Sequence, residues 1–145
     1  MDHQAIHLRP GRGGLRRRAW PIDLGAPDLE LDIVTLPQQA LLYRLCGDRN
    51  PLHSDPGFAA AAGFDRPILH GLCTYGMTCK ALVDTHLDAD VTRVGGYGAR
   101  FAGVVFPGET IRVSAWKDGD RYIGVVTAPS RDDAVVLSDV ELTPV

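Results

Sequence analysis

"GLCTYGMTCKALVDTHL", Gly71 to Leu87, is the longest stretch of this chain that reads as a single helix. Leu72, Tyr75, Cys79, Leu82 and Val83 recur at roughly helical spacing, the pattern of a helix with one apolar stripe. No charge interrupts it before Lys80, which predicts a helix enclosed by other structure rather than resting on a surface. Gly76 costs about 1 kcal/mol in a helix interior, and a close backbone approach, such as that of a sheet, would account for it. Everything downstream is strand-like. "TRVGGYGARFAGVV", "ETIRVSAWKDG", "RYIGVVTAPS" and "AVVLSDVELTPV" are rich in Val, Ile and aromatic residues, and Pro107-Gly108, Asp118-Gly119 and Ser130-Arg131-Asp132-Asp133 punctuate them. "KDGDR" reads as a hairpin turn. Upstream, "LELDIVTL", Leu29 to Leu36, alternates at its start and predicts one more strand. One early strand, one long helix and four late strands make an α+β domain, an antiparallel sheet of about five strands wrapped around one buried helix.

Between the early strand and the long helix lies the densest chemistry. "PQQALLYRLC" predicts a short helix with Pro37 as its first residue and Gly47 as its C-terminal cap. "SDPGFAAAAG" repeats the grammar: Ser54 or Asp55 can cap, Pro56 starts and Gly63 stops. The loop between these helices carries Asp48, Asn50-Pro51 and His53. A loop fixed at both ends holds side chains at low entropic cost, and an Asp–His pair can bind a water and move its proton near neutral pH. Each residue alone has a plainer reading, the Asp as a turn former and the His as a structural ring. Gly71 opens the long helix, where unpaired backbone N–H groups and the positive end of the helix dipole can hold an oxygen that gains charge. A plain helix start is the alternative.

Other functions fit poorly. His53, His70 and His86 with Asp48 and Asp55 are possible metal ligands, but their spacing matches no familiar zinc pattern, and no metal is expected. His86 falls near a helix C-terminus, where a charged imidazolium is favoured. "GGYGARFAG" lacks the dinucleotide-binding spacing and precedes a strand run, and no G-x-S-x-G supplies a serine nucleophile. Residues 1–28 read as a Gly/Pro-rich arm or linker. The first twenty residues carry a net charge of +4 on a chain of net −3, but no aromatic residues interleave the arginines, so a solvated arm is expected rather than a nucleic-acid surface. There is no window of membrane-spanning length and no apolar leader core at the N-terminus. Cys46, Cys73 and Cys79 show no C-x-x-C spacing and read as reduced, buried thiols of a cytoplasmic protein.

"YRLCGDRNPLHSDPGFA", Tyr43 to Ala59, and "GFDRPILHG", Gly63 to Gly71, resemble the hydratase-2 motif of the MaoC-like (R)-specific enoyl-thioester hydratases and dehydratases. The resemblance is dense over about thirty residues and extends over residues 29–145. It implies a hot-dog fold and reversible hydration of trans-2-enoyl thioesters, of coenzyme A or acyl-carrier protein, without cofactor or metal. It places Asp48 and His53 on the family's catalytic pair, Asn50 on the residue that orients them, and Gly71 on the glycine whose N–H polarises the thioester carbonyl. It also likens the basic arm to the linker that joins two hot-dog halves in double-domain members. A homodimer, or a heteromer with a second hot-dog subunit, is therefore expected. Rival readings are a non-catalytic acyl-thioester-binding subunit and a hot-dog thioesterase.

Overall fold

A computed structural model describes residues 24–145. Five strands, β1 (Leu29–Val34), β2 (Val94–Phe101), β3 (Thr110–Asp118), β4 (Arg121–Ala128) and β5 (Ala134–Pro144), form one antiparallel sheet in the order β1-β3-β4-β5-β2. Three helices, α1 (Gln39–Tyr43), α2 (Pro56–Ala61) and α3 (Gly71–His86), lie between β1 and β2 in the chain. This is the hot-dog arrangement, with α3 packed on the sheet.

Strand periodicity sets the core. Ile111, Val113 and Ala115 alternate inward on β3 and are fully buried. They meet Val126 of β4, Val136, Leu137, Val140 and Leu142 of β5, and Leu82 and Val83 of α3. Truncating Leu82, 1% exposed, to Ala costs about 2–5 kcal/mol by the usual cavity penalty. The β3–β4 hairpin pairs Asp118 with Arg121 across Gly119 and Asp120, and Gly119 has φ +63°, as the "KDGDR" reading expects.

The helix boundaries shift slightly. Pro37 lies in a turn, α1 begins at Gln39, and a 3₁₀ turn (Arg44–Cys46) completes it before Gly47 at φ +118°. Asp55, rather than Ser54, caps α2 by accepting from the N–H groups of Gly57 and Phe58. Residues 1–23 of the expected arm lie outside the described residues, while Trp116 Nε1 donates to the Gly25 carbonyl and the Lys117 N–H to Asp28 Oδ2. No described helix is long and apolar enough to cross a membrane.

Three expectations need correction. Within this chain α3 is not enclosed. It buries Cys73, Thr74, Thr78, Ala81, Leu82 and Val83 but turns Leu72 outward, 58% exposed, with Gly76 and Lys80 on the same line. A Cβ at Gly76 would meet nothing within 4 Å, so no close approach requires the glycine. Cys46 is exposed, Cys79 half-buried and only Cys73 buried.

The segment between β2 and β3, Val104 to Glu109, is braced from two sides. The guanidinium groups of Arg66 and Arg131 lie over the Phe106 ring at 4.9 and 5.4 Å. Arg131 also donates to the Val104 carbonyl at 2.6 Å and pairs with Glu109 at 2.7 Å. Burial pushes the Glu109 carboxyl up, but hydrogen bonds from Arg131 and the Phe106 N–H outweigh it and hold it below the usual carboxylate range.

Candidate active site

The loop from Gly47 to Ser54 is shaped by its own side chains. Asp48 Oδ1 accepts from the Asn50 N–H at 3.2 Å, and Asn50 Oδ1 accepts from the Leu52 N–H at 3.0 Å, capping a 3₁₀ turn (Pro51–His53). Asn50 therefore acts on the turn that carries His53, by the local side-chain bonding that suits Asn to caps. His53 Nδ1 lies 2.8 Å from the Ile68 carbonyl. A carbonyl can only accept, so Nδ1 carries the proton and Nε2 presents its lone pair.

A short buried strap, Ile68 to His70, ties this loop to the rest of the domain. The Ile68 N–H reaches the Leu52 carbonyl and the Leu69 N–H reaches the Val105 carbonyl at 2.7 Å. His70 Nε2 lies 3.1 Å from the Asp48 carbonyl. The His70 ring stacks on His53 with centroids 3.7 Å apart and planes 25° apart, and Tyr43 packs against it at 4.7 Å. Burial pushes the His70 imidazole below its ordinary value; the hydrogen bond to Asp48 opposes this.

Ligand-type atoms of Asp48, His53 and His70 all lie within 4.8 Å of one another. His86 and Asp55, the other two metal candidates, are not part of this group. One nitrogen of each ring meets a backbone carbonyl and the two rings stack, so the group offers one free ring nitrogen from each histidine beside the exposed Asp48 carboxylate. A separation of up to 4.8 Å between the ligand-type atoms of Asp48 and His53 leaves room for one water between them. Two hydrogen bonds of about 2.8 Å meeting at a near-tetrahedral angle place their partners roughly 4.6 Å apart.

Beside them opens a cavity of about 210 Å³ lined by His53, Gly71, Thr74 and Phe101 and by the apolar walls Val104–Val105 and Val136–Leu137. Asp48 and Asn50 are exposed and stand outside this lining. The Gly71 N–H, first in α3, has no acceptor among the described residues, as expected at a helix start. A Cβ at Gly71 would come within 2.9 Å of the Phe101 ring, so any larger residue there would push that ring aside. The sequence reading missed the cavity walls and the ring contact of His70; only the β2–β5 register brings Phe101 opposite Leu137. His86, expected to favour the charged form, does the opposite: burial pushes it below its ordinary value.

Comparison with known proteins agrees with this picture. The family described as MaoC like domain matches residues 24–133. The chain is 74% identical over 119 residues to Enoyl-CoA hydratase ChsH3 of Mycobacterium tuberculosis, which covers 82% of this chain and 42% of that protein. It is 49% identical over 108 residues to the peroxisomal Enoyl-CoA hydratase 2 of Arabidopsis thaliana, covering 74% of this chain and 35% of that one. It thus spans less than half the length of these relatives. Among solved structures, full-length peroxisomal multifunctional enzyme type 2 from Drosophila melanogaster superposes with a TM-score of 0.82 at 37% identity, over 94% of this chain and 25% of that one. A MaoC-like dehydratase from Phytophthora capsici gives 0.80 at 34% identity, over 96% and 46%. With its motif, fold and sequence in accord, the chain belongs to the MaoC-like domain family.

Proposed function

We propose that this domain is a hydro-lyase that adds water to a trans-2-enoyl thioester, of coenzyme A or acyl-carrier protein, to give the (3R)-3-hydroxyacyl thioester, and runs the reverse dehydration. The observation that carries the reading is that ligand-type atoms of Asp48 and His53 lie within 4.8 Å of each other, and that His53 lines a cavity together with Gly71, the first residue of α3. Water held between them gives its oxygen to C3 and a proton to the pair, and the pair returns a proton to C2 on the same face. Charge that gathers on the thioester oxygen is met by the Gly71 N–H. Acid–base work of this kind contributes about 10²–10⁴-fold and one oxyanion donor about 10²–10³-fold. The steps draw on water and these groups alone and call for no cofactor. Names of relatives support the same chemistry: Enoyl-CoA hydratase, and 3-hydroxyacyl-thioester dehydratase Y of Mycobacterium tuberculosis, 52% identical over 92 residues. The deciding experiment follows the enoyl absorbance of crotonyl-CoA and of a longer enoyl-CoA together with free thiol. Loss of absorbance without thiol, giving the (3R) product, supports hydration. Thiol release would make the domain a thioesterase, and no change would make it a binding subunit.

We further infer that the domain works paired. Leu72 and Phe101, 58% and 51% exposed, leave apolar area beside the cavity mouth, and β1 and β2 are open sheet edges. Self-pairing as a two-fold dimer is the simpler outcome; a second hot-dog subunit is the other. Light scattering with activity measured in the same fractions separates them, and a fully active monomer would exclude both. A reducing compartment such as the cytoplasm suits the three free thiols.

A further inference from the structure

We propose that His70 is a positioning residue for the water-binding pair, holding Asp48 by its main chain and His53 by its ring face. The proposal rests on the hydratase reading of the site. His70 is 2% exposed, and no substrate contact is assigned to it. Its Nε2 faces only a carbonyl oxygen, that of Asp48, so Nε2 carries the proton. The other nitrogen, Nδ1, is then a bare acceptor, buried and without a partner. A second interaction is also given up. His70 is the N-cap residue of α3, yet its side chain makes no capping bond, where Ser, Thr, Asp or Asn would satisfy a helix N–H. A buried ring acceptor left unmatched destabilises the fold locally. What this side chain does instead is reach back 22 residues to the Asp48 carbonyl and lie flat against His53.

Two reactive side chains on one loop are thereby indexed to α3, the helix whose first residue, Gly71, lines the cavity beside His53. The His53 ring is gripped at its edge by the Ile68 carbonyl and on its face by His70. The groups that face His70 are His53 and Asp48 on the loop and Arg44 and Tyr43 on the preceding helical turn. A neutral His70 adds no like charge when His53 takes up a proton, and burial disfavours its charged form.

His70→Gln keeps an amide donor for the Asp48 carbonyl and loses the ring; His70→Phe keeps the ring and loses the donor. Each should lower kcat for crotonyl-CoA hydration by about tenfold or more with KM within about threefold, because groundwork for the transition state is lost and binding is not. In a His53→Ala background His70→Phe should add little further loss, since residues acting as a unit are not additive. Wild-type kcat in His70→Phe, or an equal loss in both backgrounds, overturns the proposal. Should neither variant fold, the native chain decides: in ¹⁵N-histidine spectra His70 should keep a protonated Nε2 and take up its second proton only at lower pH than a free imidazole. Titration of His70 like a free imidazole, or the opposite tautomer, overturns it. A native chain that does not hydrate enoyl thioesters would sink the activity reading separately, and with it the positioning role.

Discussion

Each end of α3 carries a histidine stacked on another ring. At the N-terminal end His70 lies 3.7 Å from His53; at the C-terminal end His86 lies 3.9 Å from Tyr122 with planes 14° apart. Each has one buried nitrogen without a partner, and burial pushes both imidazoles below their ordinary value. The neighbours differ. His70 meets a second imidazole, the backbone of an exposed carboxylate residue and a cavity one residue further along. His86 meets a phenol on β4, and the Asp28 carboxylate opposes its shift. Burial and stacking are thus common to a chemical site and a packing contact. What separates them is a second proton-carrying group together with space for a substrate.

The comparison can be broken first at the N-terminal end. Asp48→Asn and His53→Ala should each lower kcat by at least about 10²-fold while the chain stays folded, the scale of a lost acid–base group. Near wild-type turnover in either would remove that residue from the chemistry. Gly71→Ala should cost about tenfold in kcat/KM, because its methyl displaces the Phe101 ring that lines the cavity. Phe101→Ala in the same chain should recover most of that loss, and failure to do so would assign the effect to the helix N-terminus itself.

At the other end, His86→Phe should leave turnover within about twofold of wild type, since the ring stack is kept and the cavity is remote. Its effect should appear in stability against pH. Both histidines hold a proton less readily folded than unfolded, so the native state binds fewer protons below the unfolded value of about 6.5. Their contribution is present above that pH and is lost as pH falls. Urea midpoints should therefore drop between about pH 7.5 and 5.5, and His86→Phe should flatten the drop. An unchanged slope would mean that His86 binds its proton equally well in the folded and unfolded chain. The smallest effect expected is that of a chelator, which should leave hydration unchanged.

Much of this was legible in the chain. Val, Ile and aromatic runs with glycine-bearing turns identify β2 to β5, and Asp55-Pro56 and Gly47 mark helix ends through local chemistry alone. The Asp48–Asn50–His53 loop is likewise local. The outward turn of Leu72 was not legible, because Thr74 and Thr78 take buried places that polarity alone would send to the surface; Thr78 does so by donating to the Thr74 carbonyl. Nor was the pocket wall. Val136 and Leu137 reach it through a β2–β5 register that slips between Gly98 and Arg100, a long-range irregularity with no local signature. His86 misled because the favourable helix end was weighed without the burial that outweighs it.

Arg131 sits on the β4–β5 connection, yet its guanidinium grips the carbonyl of Val104, which forms part of the cavity wall. Under the hydratase reading proposed above, acyl preference would therefore depend in part on a residue that does not line the cavity. A change at this remote turn, such as Arg131→Lys, would trade a forked grip for a single-point one and reset how far that wall stands from the opposite one. Variants of differing appetite could then be bred from one unaltered reaction centre.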